Sequence, residues 1–123
     1  MKTFTGQCHC KLNTITITAE PEFQFTCYCN NCRVINSGGH LCGIIFDESN
    51  FTKAKHAQSY SYSGSSGKPI ILHFCSKCGT HLYAYPTAHE GKVAIRANIL
   101  EELPFQSQHS LFTESAFGWD KTK

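Results

Sequence analysis

The chain has 123 residues, 41% of them hydrophobic and 16% charged, with a formal charge of +2 from 11 Lys and Arg against 9 Asp and Glu. That size suits a single domain spanning 1–123 with a modest core, and the composition excludes a disordered tail. The charge is too small and too scattered to track phosphates, so no nucleic-acid partner is expected.

The opening residues, Met1 to Cys8, lack the apolar run of an export signal, and no stretch of the chain is long and apolar enough to span a bilayer. The expected setting is therefore cytoplasmic and reducing, with no membrane partner and with cysteines kept as thiols. Cys8-His9-Cys10 comes first. In an extended segment residues i and i+2 share a face, so both sulfurs reach one ion while His9 turns to the surface. Thr14 to Thr18 alternates polar and apolar as a half-buried strand does. Phe23 and Phe25 lead on the same alternation into Cys27-Tyr28-Cys29-Asn30-Asn31-Cys32, and Asn30 to Ile35 reads as a short helical turn stopped near Ser37-Gly38-Gly39. Cys42 reads as a small buried hydrophobe ahead of a strand at Ile44 to Phe46.

Ser59 to Ser63 alternates again and ends in the hairpin composition Gly64-Ser65-Ser66-Gly67. Ile70 to Phe74 is a strand that runs into Cys75-Ser76-Lys77-Cys78-Gly79. Strands follow at His81 to Tyr85 and Val93 to Ala97, with a turn near Glu90-Gly91. Pro104 sits in a loop, and Leu111 to Thr113 forms a last strand before Trp119. Tyr60, Tyr62 and Trp119 are expected to pack a sheet face. The parts describe a mainly β domain of twisted antiparallel sheets.

Eight cysteines at C-x-C and C-x-x-C spacings in a reducing setting suit metal rather than disulfides, because such close pairs would close small strained rings. Cys75-x-x-Cys78-Gly79 leaving a strand has the shape of a zinc knuckle, in which the glycine adopts positive φ and the turn aims amides at sulfur. Cys8 and Cys10 complete a closed four-cysteine Zn2+ site, and removal of its ion is expected to unfold the chain. Cys27, Cys29 and Cys32 form a second set of three. Its fourth position is either open to a substrate or closed by Cys42 or a histidine, and spacing alone leaves both readings standing. Seven thiolates on two Zn2+ ions would take the formal +2 to −1. Arg33 and Arg96 are able to grip a carboxylate, although solvation at the surface is the simpler expectation for both. His40, His56, His73, His81, His89 and His109 are scattered; of these His73 and His81 flank the knuckle, close enough for one to hydrogen-bond a ligand.

Gly6-Gln7-Cys8-His9-Cys10, the cluster Cys27 to Cys32, Phe74-Cys75-Ser76-Lys77-Cys78-Gly79-Thr80, the Pro104 loop and Trp119 together resemble the family of glutathione-dependent formaldehyde-activating enzymes, which also includes centromere protein V. The resemblance covers nearly the whole chain. It implies a β-tent-type fold with two zinc ions: a structural one on Cys8, Cys10, Cys75 and Cys78, and a catalytic one on Cys27, Cys29 and Cys32. It also implies a small-thiol partner, glutathione, joined to formaldehyde as S-hydroxymethylglutathione, the reaction of a carbon–sulfur lyase in reverse. Two positions depart from the family pattern: Lys11 stands where glycine is common, and Tyr28 where a smaller side chain or histidine is frequent. The alternative from another class is a zinc-stabilised module that binds a protein partner without catalysis.

Overall fold

In a computed structural model of the chain, residues 1–120 are described. The chain begins as a hairpin of β1 (Thr3–Gln7) and β2 (Thr14–Thr18), paired antiparallel with Phe4 opposite Ile17. Their alternation puts Phe4, Ile15 and Ile17 on one buried face and threonines on the other. A two-residue strand, Phe51–Thr52, completes this three-stranded sheet beside β2.

The larger sheet has seven strands. In chain order these are β3 (Phe23–Cys27), β4 (Leu41–Asp47), β5 (Ala57–Ser63), β6 (Pro69–Cys75), β7 (His81–Pro86), β8 (Lys92–Arg96) and β9 (His109–Leu111). Their spatial order is β9-β3-β4-β8-β7-β6-β5. All neighbours run antiparallel except β9, which lies parallel to β3 with Leu111 opposite Cys27. One helix, α1 (Asn30–Asn36), links β3 to β4. It ends where Ser37 takes a left-handed conformation and the amides of Ser37 and Gly38 return to Val34 and Arg33 carbonyls.

This sheet is apolar on both faces. One face, with Ile44, Phe46, Tyr83, Val93 and Ile95, packs on Phe4, Ile15 and Ile17 of the smaller sheet to make the core. Fully burying each such side chain contributes about 1.5–3 kcal/mol. The other face is set by the same registers, shifted by one residue. Cys27 lies opposite Leu41, Phe25 opposite Gly43, Ile45 opposite Ala94, and Ala94 opposite Ala84. The ring of Phe25 occupies the space that a Cβ on Gly43 would fill, 2.7 Å from its nearest atom.

The mainly β reading holds, with mixed rather than purely antiparallel pairing. Several boundaries differ. Cys8-His9-Cys10 is a turn following β1 and not an extended segment, since the Lys11 amide closes on the Cys8 carbonyl (3.0 Å) and Lys11 takes φ 66°. The last strand stops at Leu111 because Phe112 adopts a left-handed backbone, φ 57°. Trp119 does not pack a sheet: it is 74% exposed and stacks on Phe117. Tyr60 is exposed and stacks on the half-buried Tyr62. Among the described residues no helix is long and apolar enough to cross a membrane.

Candidate functional site

Two cysteine sets converge as the spacings suggest. The sulfurs of Cys8, Cys10, Cys75 and Cys78 lie within 4.8 Å of one another, as do those of Cys27, Cys29 and Cys32. All are free thiols.

The four-cysteine set joins the β1–β2 turn to the β6–β7 turn, one from each sheet. Cys8 and Cys10 Sγ are 3.6 Å apart, and Cys10 and Cys75 Sγ 3.7 Å. Each turn directs amides at sulfur: Asn13 N–H at Cys8 (3.3 Å), and Lys77 and Cys78 N–H at Cys75 (3.4 Å each). Gly79 has φ 79°, as a tight knuckle requires. Thr80 ties the turns together. Its hydroxyl accepts from the His9 amide (3.1 Å) and so directs its own proton to Cys78 Sγ, also 3.1 Å away. That bond, with the Thr80 amide, draws the Cys78 thiol down to about 5. Cys10 is pushed up to about 11: the Leu12 amide draws it down, but burial and the neighbouring sulfurs outweigh it. Asn13, fully buried, accepts from the His56 amide (2.8 Å) and donates to the His56 carbonyl (3.2 Å), which fixes the loop behind the set.

In the three-cysteine set, Cys27 ends β3, Cys29 caps α1 by accepting from the Cys32 amide (3.3 Å), and Cys32 lies in the first turn. A hydrogen bond from Cys32 holds the Cys27 thiol down to about 6 against burial, and donating that bond, with burial, pushes Cys32 up. Three sulfurs sharing so little space with so few protons form an electron-rich donor set that a cation would relieve.

No fourth protein ligand joins this set among the described residues. Cys42 lies on β4 opposite Thr26, which places it on the other sheet face from Cys27, and its sulfur meets the Thr26 hydroxyl at 3.7 Å. It is half-buried. The open side gives onto a cavity of about 180 Å3 beside Phe25, Leu41, Ile70 and Tyr62, with Ala84, Ala94 and Arg96 in its wall. Tyr28, the residue inside the cluster, is buried with its ring against His40 and is not part of that wall.

Arg96 is the residue that sequence reasoning misplaced. It was expected at the surface, yet it is 6% exposed. Its Nη2 meets only the His81 ring at 3.4 Å, its Nε has no partner, and no carboxylate pairs with it among the described residues. Burial pulls its pKa below the ordinary guanidinium range, while Tyr62 and Cys32 in their charged forms push it back. Tyr62 is itself pushed up, by burial first and then by Cys32, so the phenol stays protonated. Arg33 is half-buried on α1, its guanidinium 4.2 Å above the Phe117 ring, and does not line the cavity. His81 faces Arg96 and His73 stacks on Tyr83, and among the described residues neither hydrogen-bonds a knuckle sulfur. The β8 alternation, Val93 and Ile95 inward against Ala94 and Arg96 outward, was the one signal that could have placed Arg96 on the site face.

The sequence profile of the family described as "Glutathione-dependent formaldehyde-activating enzyme" matches residues 3–115. The chain belongs to that family. None of the curated proteins compared matches the sequence. In structure the fold is similar to that of a Rhodobacter sphaeroides protein solved by a structural genomics consortium. The TM-score is 0.60 at 19% identity, over 80% of this chain and 89% of that one. Family membership links the chain to glutathione-dependent activation of formaldehyde, and both cysteine sets fall within the matched span.

Proposed function

We propose that the protein is a zinc-dependent carbon–sulfur lyase acting on glutathione–aldehyde adducts of the S-hydroxymethylglutathione type. The observation that carries this reading is the three-cysteine set with no fourth protein ligand among the described residues, opening on a cavity walled by a buried arginine that has no carboxylate partner.

The residues suit zinc. A tetrahedron with Zn–S near 2.3 Å has edges of about 3.8 Å, and the measured sulfur separations in the four-cysteine set are 3.6 and 3.7 Å. Four thiolates close one site as a structural clamp. Cys27, Cys29 and Cys32 would hold the second ion with one position free. Zinc bound there supplies positive charge that keeps a substrate thiol ionised at neutral pH.

The chain's own groups then act on the aldehyde oxygen. In the joining direction the thiolate sulfur attacks the carbonyl carbon, a C–S bond forms, and the π pair moves to oxygen. Arg96, a fixed cation in a water-poor wall, holds that oxygen as its charge grows, and the Tyr62 hydroxyl donates a hydrogen bond to it. A proton from water completes the hydroxyl. Cleavage runs the same steps backward: the hydroxyl proton leaves, C=O re-forms, and the C–S pair returns to sulfur.

Calorimetric titration of glutathione into protein carrying two zinc ions tests the reading, with Cys29→Ser as the control. Saturable binding that disappears in the variant is expected. Equal binding in both proteins, or none in either, overturns it. In the latter case a zinc-stabilised module for a protein partner takes its place.

A further inference from the structure

The geometry points to an aldehyde that carries a hydrocarbon group: the substrate class is the glutathione thiohemiacetal of an apolar aldehyde, seated in a trough that starts at the three-cysteine set. The inference rests on the enzyme reading above and extends it to the group beyond the reacting carbon.

Three features of the outer sheet face build the trough. Ala84 and Ala94 sit opposite each other across β7 and β8, so the floor beside Arg96 carries only methyl groups. Gly43 makes room for the tip of the Phe25 ring against β4, and the ring forms a side wall. Phe25, Ile45, Pro86 and Leu111 then border both the cavity at the cysteines and a second cleft of about 530 Å3 that continues along the sheet past Phe23. The two adjoin, and these four residues belong to the walls of both.

Arg96 gives the trough its polarity. It lies two residues from Ala94 on the same face of β8, is more than nine-tenths buried, and has an unpartnered Nε. An oxygen held there leaves the fourth substituent of the adduct carbon to run along the alanine floor. A formaldehyde adduct places only hydrogen in that direction and leaves the apolar walls wet. The peptide body of glutathione does not suit them either. Its two carboxylates and its ammonium would lie against Phe23, Phe25, Ile45 and Leu111, with polar groups only at the rim, from Glu22, His89, Glu90 and Lys92, which is costly. The one lysine on the rim, Lys92, is already paired with Glu22 (2.8 Å) and faces Asp47 (3.8 Å). A hydrocarbon chain has no such needs, and each methylene taken from water contributes about fourfold in apparent affinity or specificity.

The test uses full-length protein loaded with two zinc ions. Formation of the glutathione adduct is followed for formaldehyde, hexanal and benzaldehyde, each rate divided by its uncatalysed value. Binding of S-hexylglutathione and S-methylglutathione is compared by calorimetry. Hexanal is expected to exceed formaldehyde by at least about thirtyfold in kcat/KM, and S-hexylglutathione to bind tighter than the S-methyl compound by a similar factor. Ala94→Phe, which fills the floor, should collapse both ratios, and Ala94→Val, a smaller change, should reduce them if the phenylalanine variant does not fold. Turnover of formaldehyde with hexanal no better, and equal binding of the two thioethers, overturns the substrate class alone. No turnover of any aldehyde, together with no heat from glutathione, overturns the enzyme reading beneath it.

Discussion

Arg96 holds a charge where the fold provides no carboxylate to meet it. A buried cation met only by the His81 ring and the field of Tyr62 and Cys32, with no carboxylate, costs stability, so its retention is better explained by chemistry. Arg96→Met should therefore leave the melting temperature unchanged or raise it, while adduct turnover falls about a hundredfold, as loss of one fixed oxyanion donor does. Thermal melts and kcat for the same preparation check both halves. Two histidines, His73 on the core face opposite Tyr83 and His81 beside Arg96, behave differently. Burial lowers the pKa of His73 and His81, helped by Lys53 for the first and Arg96 for the second. Each ring then binds fewer protons in the folded chain than in the unfolded one just below pH 6.5, so stability falls as pH falls through that window. Proton NMR should show both imidazoles titrating below the free-histidine midpoint, and a midpoint at or above it for either ring contradicts the burial argument.

At the scale of elements, Lys11 holds a backbone conformation that suits glycine. The turn that presents Cys8 and Cys10 needs φ 66° there, a conformation that costs a side-chain-bearing residue roughly 1–2 kcal/mol. Lys11→Gly should recover about 1 kcal/mol in denaturant unfolding, or about half that if the added freedom of the unfolded chain offsets it. Both the knuckle and α1 were legible because their signals are local: a glycine after C-x-x-C and a Ser-Gly-Gly stop. The alternating strands at Thr14 to Thr18 and Ser59 to Ser63 were legible for the same reason, although the second begins earlier, at Ala57. Beyond local reach the count of four ligands joined Cys8 and Cys10 to Cys75 and Cys78, but the strand order stayed hidden. The apposition of Ala84, Ala94 and Ile45 depends on the order β4-β8-β7, which is set by pairing across dozens of residues, and no spacing rule encodes it. The short β9 was misplaced by two residues, because Leu111 and Phe112 read alike as strand residues while only the first has a strand conformation.

For the molecule as a whole, the four-cysteine set is the crosslink between the two sheets, from a turn of one to a turn of the other. Structural zinc in small sites supplies about 10–16 kcal/mol, comparable with or above the roughly 5–15 kcal/mol of a typical domain. Chelation is accordingly expected to abolish the cooperative melt seen by far-UV circular dichroism. Cys78→Ser should weaken it more than Cys29→Ser, since the second set closes no bridge between sheets. A chelated sample that keeps its spectrum and melting temperature contradicts this account.

The seven-stranded sheet spends both of its faces. On β8, Val93 and Ile95 belong to the core, and Ala94 and Arg96 to the trough. The two demands are thus interleaved letter by letter along one short stretch of sequence. If every position of β8 were substituted in turn, changes at 93 and 95 would lower how much protein a cell accumulates, while those at 94 and 96 would spare abundance and alter what the protein does. Inserting one residue would exchange the two sets at a stroke. Such a strand tolerates only substitutions that keep each position's role, and changes of length hardly at all, so variation among descendants of this chain should collect in its loops.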